Sequence, residues 1–107
     1  MWVENAAPSG GSADVHFTCN NGTTFWGQNV YVVGNDPAIG SWDPAQAVQL
    51  SPNAYPTWDG IVTGLPASTT VEWKCIKKHN GQVTWQGGAN NSVTTPSSGQ
   101  VSAAGSF

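Results

Sequence analysis

Charge is scarce in this sequence. Of its 107 residues only six are acidic and three are basic, and all three basic residues are lysine. A soluble domain usually carries about a quarter charged residues. Because three cations in a chain of net charge −3 cannot neutralise a phosphate backbone, we expect no nucleic-acid partner. The polar surface comes instead from Ser, Thr, Asn and Gln, which points to a neutral, polar ligand.

Long apolar runs are also missing. No stretch approaches the roughly 18 apolar residues of a membrane-spanning helix, so we expect no membrane partner. The start, Met1 to Glu4, has neither the basic residues nor the apolar segment of a signal peptide. Residues 5–13 have the composition of a flexible linker, although an ordinary frayed terminus is the alternative. We therefore predict a linker remnant or flexible tail over residues 1–13 and one domain over residues 14–107.

Helical periodicity is absent as well, whereas strand signals recur. Short β-branched or alternating segments are separated by Gly, Pro and Asn turns. One capped helical turn is expected near residues 43–47, with Asp43 as N-cap and Pro44 in the first position. Seven or eight short strands indicate an all-β fold, an antiparallel sandwich. The segments predicted as strands are 15–19, 30–33, 48–50, 58–63, 70–78, 83–86, 91–95 and 100–104.

The two cysteines lie on predicted strands with a clear parity. On the strand 70–78, Val71, Trp73 and Cys75 share one face and Lys74 lies on the other, while Cys19 belongs to an apolar face of the first strand. Both cysteines should therefore face the core, where they either form a disulfide or remain buried free thiols. A Cys19–Cys75 bond would close a loop of about 56 residues and stabilise the fold by about 4 kcal/mol.

Catalytic groups are hard to assemble from this sequence. Glycoside hydrolysis needs two facing carboxylates, and nothing brings two of the six acidic residues together. Asp43 suits a helix cap, and Asp59 suits a turn with Gly60. His16 and His79, which we expect on the surface, have no Cys or carboxylate at metal-ligand spacing. We expect no catalytic residue, no metal and no cofactor.

Six tryptophans are many for a chain of this length. Trp73 fits the core by parity, and Trp26, in a loop bounded by glycine, is expected to plug one end of the sandwich. Trp42 lies in a Gly- and Pro-containing loop and Trp85 follows a hairpin turn, so strand packing requires neither. An exposed ring can stack on the C–H face of a sugar while nearby amides and a lysine bond its hydroxyls. The alternative is that these rings are core residues or loop plugs.

Several motifs resemble those of family 20 carbohydrate-binding modules, the starch-binding domains of amylolytic enzymes. The segment 30–43 (VYVVGNDPAIGSWD) is followed in the right order by Leu50-Ser51, Tyr55, Trp58 and the runs 71–76 (VEWKCI) and 83–86 (VTWQ). The likeness covers about residues 14–107, and this chain of motifs is highly specific. It implies an open-sided, immunoglobulin-like β-sandwich with two starch sites.

The resemblance also implies the residues of the first site. Trp42 and Trp85 would be stacking platforms, and Lys74, Gln86 and Asn90 would bond the hydroxyl groups of the sugar. Many members have Glu after the second Trp and a Pro-Asn-Arg end to the following loop. Here that run reads QGGANN over residues 86–91, so the Arg is lost and the loop is expected to be more flexible.

The second site implied by the resemblance would use Tyr31 and Tyr55, with Asn53 as a polar neighbour. Trp58 lies near these residues in the sequence, and we assign it a packing role.

The function implied is non-catalytic binding of starch and related α-1,4-glucans, such as maltooligosaccharides and cyclodextrins, through aromatic stacking. The module would be a monomer tethered to the catalytic domain of a secreted amylase, which it anchors to raw starch. Two alternatives remain open. One is a small glycosidase, and the other is an immunoglobulin-like spacer or protein-interaction module in which Trp42 and Trp85 are buried.

Overall fold

The computed structural model describes residues 11–107, which form two β-sheets packed face to face. The all-β sandwich is therefore confirmed, with nine strands in this part of the chain. Residues 1–10, which include Trp2 and most of the predicted tail, lie outside the described residues. The strands are β1 (Ser12–Asn20), β2 (Asn29–Gly34), β3 (Val48–Gln49), β4 (Ser51–Ala54), β5 (Thr57–Pro66), β6 (Thr70–His79), β7 (Gln82–Trp85), β8 (Asn91–Thr94) and β9 (Gln100–Ser106).

The first sheet has four strands in the order β9-β1-β5-β4. Its one departure from an antiparallel arrangement is the parallel pairing of β9 with β1. Strand β1 begins earlier than expected, because Ser12 pairs with Pro66 and Ala13 pairs with Leu65 in β5. Ala13 is 1% exposed, so the strand continues into two residues that the prediction assigns to the tail, Ser12 and Ala13.

The second sheet has five strands and is organised around β6. Strand β2 pairs along one edge of β6 and in turn carries β3. The other edge is shared: β8 pairs with residues 70–73 of β6, and β7 pairs with residues 76–79. The chain between β7 and β8 therefore passes beside Lys74 and Cys75 of β6, which pair with neither strand.

The core lies between the sheets, as strand parity predicts. Val71, Trp73 and Cys75 of β6 are at most 1% exposed, and Phe17 and Cys19 of β1 are fully buried. The rings of Phe17 and Trp73 meet edge to face with centroids 4.8 Å apart. Cys19 and Cys75 form a disulfide with a Cα–Cα distance of 6.0 Å, which joins the two sheets covalently.

Short connections complete the fold. A 3₁₀ turn at Pro44–Gln46 is capped by Asp43, whose carboxylate accepts a hydrogen bond from the Ala45 N–H, as the sequence predicts. A second turn at Pro37–Ile39 was not predicted. The extra strand β4 was also not predicted, because its residues are all exposed and show no alternation. No helix within residues 11–107 is long and apolar enough to cross a membrane.

Candidate functional site

Trp42 lies in the connection between β2 and β3, where the backbone is strained. Ser41 and Trp42 both have positive φ, 50° and 63°, which is uncommon for residues other than glycine. The Trp42 N–H donates to the Gly34 carbonyl at 2.7 Å, and the buried side chain of Ile39 fixes the loop to the core. Local strain of this kind occurs where surrounding structure enforces a functional geometry. The indole is half-buried.

Trp85 faces Trp42 across the surface of the second sheet. It ends β7, is 43% exposed, and pairs with Ile76 of β6. The two indole centroids lie 6.4 Å apart and their planes are inclined by 43°. The pair forms an angled apolar platform rather than a flat strip.

Gln86 follows Trp85 but does not face the platform. It is 8% exposed, and its Oε1 accepts hydrogen bonds from the Cys75 N–H at 3.0 Å and from Asn91 Nδ2 at 2.9 Å. Its Nε2 donates to Asn91 Oδ1 at 3.1 Å. The side chain completes the hydrogen bonding of β6 where that edge passes from β7 to β8. The structure therefore gives Gln86 an internal role in place of the expected bond to a sugar hydroxyl, since its Oε1 and one of its two Nε2 N–H groups are used inside the protein.

Lys74 and Asn90 hold the loop that follows Trp85. Lys74 Nζ donates to the carbonyls of Gln86 and Gly88 at 2.9 and 2.6 Å, which leaves one of its three N–H groups for a ligand. Asn90 is exposed, and its Nδ2 donates to Glu72 Oε1 at 2.9 Å. These bonds brace a loop that contains two adjacent glycines, Gly87 and Gly88.

A second group of exposed aromatic side chains lines a groove of about 330 Å³ at one end of the sandwich. Tyr55 is 50% exposed, Phe25 is 57% exposed, and Trp26 is 96% exposed. The prediction that Trp26 plugs the fold is wrong, because its ring projects into solvent. The sequence contains a signal for this exposure, the adjacent pair Phe25-Trp26. A short loop has no alternation of strand faces, so it has no core side on which both rings could be buried.

Tyr55 fixes the loop that carries Trp26. The Thr24 N–H donates to Tyr55 Oη at 3.0 Å, and the Tyr55 hydroxyl donates to the Thr24 carbonyl at 3.2 Å. The hydrogen bond from the Thr24 backbone lowers the pKa of Tyr55 below its ordinary value. Trp58 packs beneath them, as predicted: it is 3% exposed, and its Nε1 donates to the Gly22 carbonyl at 2.8 Å.

Tyr31 and Asn53 do not join Tyr55 in this groove. Tyr31 belongs to the second sheet, where its ring lies 4.4 Å from Lys78 Nζ. Asn53 donates through Nδ2 to Asp59 Oδ1 at 3.3 Å, and Asp59 is paired with His16 at 2.7 Å. The expected grouping of Tyr31, Asn53 and Tyr55 is therefore corrected. Of these three residues, only Tyr55 lines the groove.

Four of the acidic side chains have structural partners. Asp36 and Asp43 cap the two 3₁₀ turns, Asp59 is paired with His16, and Glu72 accepts from Asn90. No cluster of three or more potential metal ligands occurs within residues 11–107. A larger groove of about 580 Å³ beside β1 is lined by Pro37, Leu65 and Pro66 among others and has no aromatic side chain, so it offers no stacking surface.

Comparison with known proteins places these features in a family. The family model described as "Starch binding domain" matches residues 12–104. The chain is 48% identical over 81 residues to a cyclomaltodextrin glucanotransferase of Klebsiella oxytoca, which covers 72% of the chain and 12% of the enzyme. It is 43% identical over 108 residues to a glucan 1,4-alpha-maltotetraohydrolase of Stutzerimonas stutzeri, which covers 92% of the chain and 19% of the enzyme. The chain thus spans less than a fifth of either relative.

The fold agrees with a solved structure of an isolated domain. The crystal structure of the family 20 carbohydrate-binding module of a maltotetraose-forming amylase from Pseudomonas saccharophila superimposes with a TM-score of 0.79 at 42% identity. The match covers 88% of this chain and 99% of that one.

Proposed function

Since the chain belongs to the starch-binding domain family, the family 20 carbohydrate-binding modules, we propose that it binds α-1,4-glucans through aromatic stacking at two sites and anchors a parent amylase to raw starch. The chain itself is a non-catalytic module. Its ligands would be starch, maltooligosaccharides and cyclodextrins.

The observation that carries the proposal is the angle between Trp42 and Trp85. An α-1,4-glucan coils, so successive glucose rings present their C–H faces in different directions, whereas a flat cellulose chain suits coplanar rings. Two indoles 6.4 Å apart and inclined by 43° match the coiled chain. Lys74 and Asn90 would donate hydrogen bonds to sugar hydroxyls.

The second site in this proposal is the groove beside Tyr55, with Trp26 and Phe25 in place of Tyr31. Its support is the exposure of three aromatic rings around one groove, because such a patch on a small domain is a feature of ligand surfaces. Trp26 lies between β1 and β2, and Tyr55 lies between β4 and β5, so two connections of the sandwich form this groove.

Each site alone should bind weakly. Sugar hydroxyls exchange hydrogen bonds with water for similar bonds with protein, so the net gain per bond is small. Two sites on one module, tethered to an enzyme, raise the effective concentration at a polymer surface. Anchoring to a granule would therefore depend on both sites together.

Depletion of the protein by raw starch granules tests the proposal. We expect the wild-type chain to leave the supernatant when granular starch is added and to stay in solution with granular cellulose. The double variant Trp85→Ala/Trp26→Ala should stay in solution with both. If starch removes no wild-type protein and β-cyclodextrin does not bind, the proposal is wrong.

The parent protein belongs to the same proposal. Relatives that match this chain include a glucanotransferase, a maltotetraohydrolase and an alpha-amylase, so we expect a tethered catalytic domain of an amylase. An extracellular location fits the inter-sheet disulfide, because disulfides persist in oxidising compartments. The module should behave as a monomer in size-exclusion chromatography. Release of reducing sugar by the isolated chain would instead favour a glycosidase.

A further inference from the structure

We infer that Lys77 and Lys78, two adjacent residues of β6, are positioning residues that each hold the ligand-bearing loop of a different site. Lys78 would hold the loop of Trp42, and Lys77 would hold the loop of Trp26. The inference rests on the two-site function proposed above and adds two residues that touch no ligand themselves.

Lys78 ties the first site to β6. Its Nζ donates to the Pro44 carbonyl at 2.7 Å, two residues beyond Trp42 in the chain. The same ammonium lies 4.4 Å from the ring centroid of Tyr31. This contact gives Tyr31 a role in the structure, since its ring supports the cation that holds the Trp42 loop.

Lys77 makes the equivalent contacts on the other side of the strand. Its Nζ donates to the Thr23 carbonyl at 2.8 Å, three residues before Trp26. The ammonium lies 4.7 Å from the ring centroid of Phe107, near the end of the chain. Because successive side chains of a strand point to opposite faces, two neighbouring lysines can reach two separate loops.

The three lysines share one kind of hydrogen-bond acceptor, the backbone carbonyls of loops. Within residues 11–107, none of the three lysines lies within 4.0 Å of a carboxylate, although the chain has six acidic residues. Each lysine donates instead to carbonyls of a loop beside an aromatic platform, and Lys74 does so for the loop after Trp85. A charged donor bonds a carbonyl more strongly than a neutral one does. In a chain with so few cations, all three serve loops of the proposed sites.

Holding a loop in its bound form lowers the ordering cost of binding. The Trp42 loop needs such support because Ser41 and Trp42 have strained backbone angles. Loss of one lysine should therefore weaken one site and spare the other. The two contacts lie on opposite faces of β6 and share no loop, so their effects should be independent.

The test measures how replacement of each lysine changes the affinity of each site, by calorimetric titration with β-cyclodextrin. The Trp26→Ala background reports the first site, and Trp85→Ala reports the second. We expect Lys78→Met to weaken the first site about three- to tenfold and to leave the second unchanged. Lys77→Met should do the reverse, so each variant is the matched control for the other. Lys→Arg at either position keeps a charged donor and should restore most of the affinity.

Hydrogen exchange gives a readout that needs no ligand. The Trp42 N–H, bonded to Gly34, should exchange faster in Lys78→Met than in wild type, and the Thr24 N–H, bonded to Tyr55, should exchange faster in Lys77→Met. If wild type does not bind β-cyclodextrin but exchange changes in this pattern, the proposed function fails and the loop-holding role stands.

Equal effects of both methionine variants on both sites, or no effect on either, would overturn the inference. If Lys78→Met does not fold, Tyr31→Leu replaces it, because this change removes the ring beneath the ammonium and keeps the cation. Tyr31→Leu should then weaken the first site alone, and unchanged first-site affinity would count against the inference.

Discussion

The indole rings of Trp42 and Trp85 lie 6.4 Å apart with their planes inclined by 43°, although 43 residues separate them in the chain. Trp42 comes from a strained loop between β2 and β3, and Trp85 comes from the end of β7. Neither indole belongs to the buried core. In the proposed function this angle suits a coiled glucan better than a flat one, and the pair is the subject of the first prediction.

Removal of either indole should strongly weaken binding at the first site. We expect Trp85→Ala and Trp42→Ala each to lower first-site affinity by about 2 kcal/mol or more, as for buried anchors in interfaces. Trp85 is 43% exposed, so its replacement should change the free energy of unfolding by only about 0.5 kcal/mol. Titration with maltoheptaose in the Trp26→Ala background measures the affinity, and urea denaturation measures stability. Unaltered affinity in Trp85→Ala would remove Trp85 from the site.

Trp26 rather than Asn53 should determine affinity at the second site. Trp26 is 96% exposed at the groove, whereas Asn53 is bonded to Asp59. In the Trp85→Ala background, Trp26→Ala should reduce binding of β-cyclodextrin at least tenfold, or about 1.4 kcal/mol. Asn53→Ala is the control, and we expect it to bind as the background does. The reverse result would restore the residue set that the sequence predicts.

Replacement of Gln86 should affect stability more than affinity. Its amide accepts from the buried Cys75 N–H, and in Gln86→Ala that donor loses its partner. An unsatisfied buried donor costs about 1–3 kcal/mol, which a lowered urea midpoint would register. Asn90→Ala is the matched comparison: the residue is exposed, so stability should hold while first-site affinity falls. If Gln86→Ala were as stable as wild type but bound glucan poorly, Gln86 would be a ligand contact after all.

Reduction of the disulfide should destabilise the fold without removing a ligand contact. The bond closes a sequence separation of 56 residues between the two sheets, and the chain-entropy model gives about 4 kcal/mol for such a loop. We expect Cys19→Ser/Cys75→Ser to unfold at much lower urea concentration and to bind glucan normally where folded. Intact mass with and without reductant checks that the wild-type thiols are paired. Equal masses under both conditions would contradict the bond.

Sequence parity predicts the core well because burial along a strand is a local property. Val71, Trp73 and Cys75 alternate with Glu72 and Lys74, and the structure buries the first three. The capped turn at Asp43 is local as well, since the cap and the N–H that it accepts from are two residues apart. The family resemblance groups Trp42, Lys74, Trp85 and Asn90; in the structure the two indoles lie 6.4 Å apart, and Lys74 and Asn90 bond within or to the loop that follows Trp85.

The residues that sequence reasoning misplaced depend on distant contacts. The role of Gln86 follows from two strands sharing one edge of β6, which no local pattern encodes. The pair Phe25-Trp26 indicates exposure locally, but the position of its loop beside Tyr55 does not follow from the sequence, since Tyr55 bonds Thr24 across 31 residues. Tyr31 has the strand parity of an outward-facing residue, but only the structure shows that Lys78 covers its ring.

Calorimetric titration of the wild-type chain with β-cyclodextrin tests the two-site account most directly. We expect two ligands bound per chain, one after Trp85→Ala, one after Trp26→Ala, and none in the double variant. Absence of binding to the wild-type chain would contradict the account, and so would a single ligand per chain that is lost in only one of the two variants.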